Sequence, residues 1–207
     1  MDIRYPNPRK DEMIEIDNEE IINHINDLNP VSYISSYIIF KEDLSIKELE
    51  ELRRKYSDKV RFTWVGVRTK NESDQYSYLS GFNPNFSDGS VTADNSYKNK
   101  YPYLQLVDSI NEESRKNFNG SFADVYSKHF ISLLKYMNDR EKTVKALDSS
   151  SIKAAYYKSA LSYVERNGVN IYGILVYGEA KELLKFINSE NVKSIEIDAV
   201  LPSKYVN

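Results

Sequence analysis

The chain has 207 residues, enough for one large domain or two small ones, and its 41% hydrophobic content suffices for a core that needs no staples. Its 28 basic and 31 acidic side chains nearly cancel, with Lys-rich stretches interleaved with Glu and Asp, so no face is marked for nucleic acid. No window approaches the roughly 20 apolar residues of a membrane span, Met1 to Lys10 lacks a signal peptide's apolar core, and the absence of cysteine excludes disulfides, thiolate nucleophiles and Cys-based zinc sites.

The polar opening, residues 1–30, reads as an arm with a short helix. Ile21, Ile22 and Ile25 share a face there, behind Asn18 as a candidate cap. After Pro30, Val31 to Phe40 is β-branched and aromatic, with both faces apolar, and predicts a strand covered on both sides. Ser45 followed by Glu48 forms a capping box, and Ile46, Leu49, Leu52 and Tyr56 then recur at helical spacing. Val60 to Arg68 alternates again as a strand, completing a strand–helix–strand unit.

The C-terminal end repeats the arrangement. Ile171 to Tyr177 predicts a strand, Glu179 to Asn188 a helix burying Ala180, Leu183, Leu184 and Ile187, and Val192 to Val200 a strand. Two βαβ units of similar length predict an α+β fold. Its centre is a ferredoxin-like antiparallel sheet with two helices on one face.

The domain so defined spans 31–207 and carries a large insertion, 69–168, of about a hundred residues, too long to be a simple loop. Lys70 to Lys100 is polar and turn-rich, with Gly81-Phe82-Asn83-Pro84 and Asp88-Gly89. Tyr103 to Val107 has strand character. The remainder is mainly helical. Phe122, Val125, Tyr126, His129, Phe130, Leu133, Leu134 and Met137 trace one helical face, and Arg140 to Leu147 is a second helix. A third runs from Ser151 to Arg166, buried through Ile152, Ala155, Tyr156, Ser159, Tyr163 and Val164, with Gly168 as its C-terminal stop.

No catalytic constellation emerges, and no cofactor site is expected. His24 and His129 lie about a hundred residues apart; His24 reads as solvated, and His129, beside Phe130 on an apolar face, reads as a packed, hydrogen-bonded core histidine. With no neighbouring His and no Cys, zinc has no ligand set. Neither a Gly-x-Ser-x-Gly elbow nor a glycine-rich phosphate loop is present. Asp88 to Asp94 places oxygen ligands at alternate positions but lacks the mid-loop Gly and terminal Glu of a calcium hand, and reads as an Asp-Gly turn. The adjacent pairs Glu19-Glu20 and Glu50-Glu51 read as solvated helix faces.

The distinctive count is 17 tyrosines against one tryptophan and eight phenylalanines. A tyrosine ring offers an apolar face and a hydroxyl together, which suits half-buried strands and contact surfaces alike. The best candidate site is the aromatic stretch Tyr76, Tyr78, Phe82, Phe86, Tyr97, Tyr101 and Tyr103. Two readings of it stand: a contact surface for protein, peptide or glycan, or rings folded back over the helical insertion.

Four sequence features, in this order, carry a family resemblance. They are Tyr37-Ile38-Ile39-Phe40-Lys41 to Leu52, Trp64-Val65-Gly66-Val67-Arg68-Thr69, Gly81-Phe82-Asn83-Pro84, and Val169-Asn170-Ile171-Tyr172-Gly173 to Ile197. Together, over most of residues 31–200, they resemble the sigma-factor-regulator C-terminal domain family, the extracytoplasmic portion of Gram-positive anti-sigma factors. The resemblance implies a non-enzymatic outer domain that perceives a signal or a partner such as a protein, peptide or cell-envelope ligand. In that arrangement a membrane anchor lies upstream and a cytoplasmic segment sequesters an extracytoplasmic-function sigma factor. The family offers no catalytic motif to match position by position. A cysteine-free chain suits a cytoplasm and a Gram-positive exterior equally. Two other classes remain open: a secreted glycan- or peptide-binding module, and a carboxylate-dependent hydrolase.

Overall fold

The computed structural model describes residues 18–70, 79–87, 95–107, 122–147 and 152–201. In chain order the elements are α1 (Asn18–Asp27), β1 (Tyr33–Ser45), α2 (Ile46–Tyr56), β2 (Val60–Val67), β3 (Ser80–Phe82), α3 (Asn95–Lys100), α4 (Ala123–Asn138), α5 (Glu141–Leu147), α6 (Ile152–Asn167), β4 (Asn170–Glu179), α7 (Ala180–Ser189) and β5 (Val192–Leu201). The fold is α+β. Contacts divide the chain into two compact units, one formed by the chain up to Gly66 together with the chain from Ile171 onward, the other by Val67–Asn170.

In the first unit the strands lie in the order β2-β4-β1-β5, and β1 pairs with β5 antiparallel. The apolar runs explain why β1 and β4 are interior. Ile34, Ile38, Ile39 and Phe40 of β1 and Ile171, Tyr172, Ile174 and Val176 of β4 are all buried, as strands covered on both faces require. Gly173 leaves no room for a side chain between β4 and β1: a Cβ there would lie 2.6 Å from the Ile38 carbonyl oxygen and 2.7 Å from Ile39 Cδ1.

Helix α2 starts at the capping box read from the sequence. Ser45 Oγ accepts the Glu48 N–H at 3.3 Å, and a Glu48 carboxylate oxygen accepts the Ser45 N–H at 2.7 Å. These bonds hold the Glu48 carboxyl below the usual carboxylate range. Ile46, Leu49, Leu52 and Tyr56 form the buried stripe. On α7 the buried stripe is Ala180, Leu183, Phe186 and Ile187, together with Glu182, while Leu184 is only half-buried. Phe186 takes the central place because its ring meets Tyr56 edge-on at 4.8 Å and Phe62 at 6.1 Å. Each such fully buried side chain contributes roughly 1.5–3 kcal/mol. The far ends of α2 and α7 are joined by polar contacts to Glu190, whose carboxylate accepts from Tyr56 Oη at 2.8 Å and pairs with Lys55 at 2.6 Å.

Strand β5 is blunted as an edge. Its register with β1 skips Lys193 and Asp198, so a charged residue stands at each irregularity. Asp198 accepts a hydrogen bond from Ser35 Oγ at 2.9 Å. At the other irregularity the side chain of Asn18 intervenes: Nδ2 donates to the Lys193 carbonyl at 2.7 Å and Oδ1 accepts the Ile195 N–H at 3.2 Å. Asn18 is thus the first residue of α1 with its amide turned to the sheet. It is not the helix cap that the sequence suggests, because β5 presents backbone groups for it to satisfy. Helix α1 packs on α7 and β5.

In the second unit α4 packs against α6, and α5 against both. The buried stripe of α6 is Ala154, Tyr156, Ala160 and Val164, whereas Ile152 is 52% exposed. The expected face was offset because the small residues Ala154 and Ala160, not the branched Ile152, provide the close approach. Gly168 ends α6 at φ +79°, with its N–H on the Val164 carbonyl at 2.8 Å. Tyr103 to Val107 forms no strand: Tyr103 turns the chain at φ 57°, and only Val107 makes a single parallel bridge, with Ser87.

Gly173→Ala is expected to lower unfolding stability by about 1–3 kcal/mol, because the clash is with backbone that cannot rotate away; urea titration of the two proteins checks this.

Candidate functional site

The aromatic residues of the second unit separate into a core and a surface. Phe82, at the end of β3, is buried against Tyr126 (5.7 Å), Phe130 (6.0 Å) and His129 (5.5 Å) on α4. Phe86 reaches Phe122 at 5.3 Å, and the Tyr126 hydroxyl donates to the Pro84 carbonyl at 3.0 Å. The Gly81-Phe82-Asn83-Pro84 turn is therefore fastened to α4 by the Phe82 ring and the Pro84 carbonyl. Asn83 shapes it locally, its Oδ1 accepting the Asn85 N–H at 3.0 Å.

Further along α4, Ser132 Oγ donates to the Pro102 carbonyl and His129 Nδ1 bonds the Tyr103 carbonyl, each at 2.7 Å. One helical face thus holds the turn at Tyr103. His129 is buried, and loss of hydration pushes its pKa below the usual histidine value, while the Tyr103 carbonyl partly restores it. This is the packed core histidine expected from its apolar neighbours.

The surface lies at the C-terminal end of α4. Tyr97 of α3, Tyr101 just beyond it and Tyr136 of α4 stand edge-to-face, with centroids 5.1 Å (97–101), 5.5 Å (101–136) and 6.1 Å (97–136) apart. The Arg140 guanidinium lies 3.5 Å from the Tyr136 ring centroid, near cation–π contact, and donates to the Tyr97 hydroxyl at 3.3 Å. Tyr101 is 4% exposed and forms the floor, its hydroxyl donating to Asp139 at 2.8 Å. Lys100 pairs with the same carboxylate at 2.7 Å and, with the Tyr101 hydroxyl, holds Asp139 below the usual range. Tyr97, Tyr136 and Arg140 are half-buried and present one face outward.

Of the residues singled out in the sequence, the structure thus brings Tyr97 and Tyr101 together, buries Phe82 and Tyr101, and leaves Phe86, Tyr97 and Tyr103 half-exposed. Tyr76, Tyr78 and the Asp88 to Asp94 turn lie outside the described residues. Sequence reasoning missed Tyr136 and Arg140, although an aromatic residue four positions before an arginine at a helix end was a readable signal. It also missed a shallow groove of about 300 Å³ in the first unit, floored by Phe40, Leu44 and Leu52 and rimmed by Glu51, Lys55 and Glu190. Among the described residues no group of three or more His, Asp or Glu side chains is arranged to hold a metal ion.

The sequence profile of the sigma factor regulator C-terminal family matches residues 25–199, which runs from the last turn of α1 into β5. The chain belongs to this family. Over 71 residues it is 38% identical to the probable anti-sigma-M factor YhdL of Bacillus subtilis (strain 168), a stretch covering 34% of this chain and 19% of that protein. The match therefore spans about a fifth of the relative's length. No solved structure matches the chain. Among the described residues no helix of this family member is long and apolar enough to cross a membrane.

Acidification tests the buried histidine. Because the folded-state pKa of His129 lies below the ordinary value of 6.5, the unfolded chain takes up this proton first. The stabilisation is complete above that value and is lost as pH falls through it toward the folded pKa. Urea midpoints should therefore drop between about pH 7.5 and pH 5.5, and the drop should shrink in His129→Gln.

Proposed function

We propose that the chain is the extracytoplasmic sensory or protein-interaction domain of a membrane-anchored anti-sigma factor that regulates an extracytoplasmic-function sigma factor. The observation that carries this reading is the family match over residues 25–199. The similarity to a probable anti-sigma-M factor supports it. The role is binding and sensing without turnover. The first unit is a ferredoxin-like sheet, a reading supported by the order β2-β4-β1-β5 and by helices α2 and α7 following β1 and β4.

The contact surface of the second unit is Tyr97, Tyr136 and Arg140 over the Tyr101 floor. Tyrosine and arginine combine a flat apolar face with directed donors, which is why they dominate binding hot spots. Neither of the other classes gains a specific observation. A carboxylate-dependent hydrolase needs an acid raised toward neutrality. The described carboxylates with displaced pKa values, Glu48, Asp139, Glu141 and Glu182, are all lowered by partners. Strand addition by a peptide would meet a β5 edge already interrupted at Lys193 and Asp198.

The test uses the full-length parent protein and a reporter transcribed by its sigma factor. Arg140→Ala combined with Tyr97→Ala should alter the reporter's response to envelope stress while leaving the domain's urea midpoint nearly unchanged. A reporter response identical to that of the unaltered protein overturns the assignment of this surface. Loss of sigma control in neither these variants nor a deletion of residues 25–199 overturns the regulatory reading as a whole.

A further inference from the structure

Helix α1 is attached to the first unit by two different devices at its two ends. At its C-terminal end the following turn is a fixed pivot. The Ser32 carbonyl accepts the Ala180 N–H at 2.8 Å and the Pro30 carbonyl accepts the Lys181 N–H at 3.2 Å. These are the first N–H groups of α7, whose N-cap residue Glu179 provides no side-chain acceptor. Asn29 closes the turn on itself, its carbonyl accepting the Ser32 N–H at 2.8 Å and its Oδ1 the Val31 N–H at 3.2 Å. The pivot therefore belongs to the start of α7 and is as firm as that helix.

The N-terminal end is held differently. Asn18 spans the Lys193 carbonyl and the Ile195 N–H, using one amide to do for β5 what a neighbouring strand would do with its backbone. Between pivot and amide, Ile25 is the one fully buried side chain of the described helix, with Ile21 and Ile22 half-buried and Asn23, His24, Asn26 and Asp27 exposed. A ten-residue helix with so narrow a buried stripe is marginal without its docking site. By contrast the sheet beneath it is buried on both faces through β1 and β4.

We propose that α1 is a releasable strap: it opens about the Pro30–Ser32 pivot while the sheet stays folded, and Asn18 is the catch that closes it on β5. The chain preceding residue 18 joins the strap at the catch itself. Opening uncovers the Lys193–Ile195 edge of β5, so the state of the strap and the state of that edge change together.

Hydrogen exchange of the full chain under native conditions, read by mass spectrometry with peptide resolution, tests this. The amides of Ile21–Asp27 and of Ile195 should exchange through one shared opening, at least tenfold faster than those of Ile174 and Val176 in β4. Asn18→Ala should speed the first group about tenfold more and leave β4 unchanged, and Asn18→Asp, which keeps the acceptor and loses the donor, should fall between. Retained protection in β4 also reports that the variant is folded. Exchange of α1 at the β4 rate, an equal acceleration everywhere in Asn18→Ala, or no acceleration of α1 and Ile195 would each overturn the proposal.

Discussion

A backbone hydrogen bond continues the β2–β4 pairing at the base of the second unit: the Arg68 N–H donates to the Asn170 carbonyl at 2.8 Å, joining the two ends of a segment that runs from Val67 to Asn170. Because β2 and β4 are neighbours in the sheet order, the chain that leaves one strand re-enters at the next. The entropy of closing a loop grows slowly with its length, so about a hundred residues can be carried there at little more cost than a few dozen. Inserted units with adjacent ends keep their own cores. The aromatic packing of Phe82, Tyr126 and Phe130, all within Val67–Asn170, is such a core.

Within the second unit the tyrosines divide between core and surface. Tyr101 and Tyr126 serve the core of the second unit, each buried with its hydroxyl on a named acceptor, Asp139 or the Pro84 carbonyl. Tyr97 and Tyr136 sit over Tyr101 with Arg140 against them, partly in water. Within the aromatic stretch Tyr101 is thus packed, whereas Tyr97 is left half-exposed. A ring in the floor orders the rings above it, the pre-organisation that the proposed contact role would use.

Features that depend on neighbours within a few residues were legible in the sequence. The Ser45–Glu48 box, the Gly168 stop and the apolar setting of His129 all follow from local spacing, and the structure contains each of them. The order of strands and helices in the first unit was legible too, from alternation and helical spacing. What escaped depends on chain segments far apart. Phe186 replaces Leu184 in the buried stripe of α7 because Tyr56 and Phe62 are there to meet it. Asn18 turns to β5, more than 170 residues away, because two backbone groups at an irregularity need partners. Tyr103 breaks a run of strand-forming residues because α4 grips the turn through His129 and Ser132. At the candidate site, Tyr97 and Tyr101 were visible by composition and the Tyr136–Arg140 spacing was readable too, but that the two pairs meet depends on α3 and the end of α4 being brought together.

The claim on which the functional account rests is that this family domain stands outside the cell membrane. Leu147 is 85% exposed and the chain contains no cysteine, so Leu147→Cys introduces one accessible thiol into this domain. In the full-length parent protein, compared with the same protein lacking the substitution, a membrane-impermeant maleimide should label this thiol in intact cells as completely as after lysis. Labelling that appears only after lysis would contradict the account.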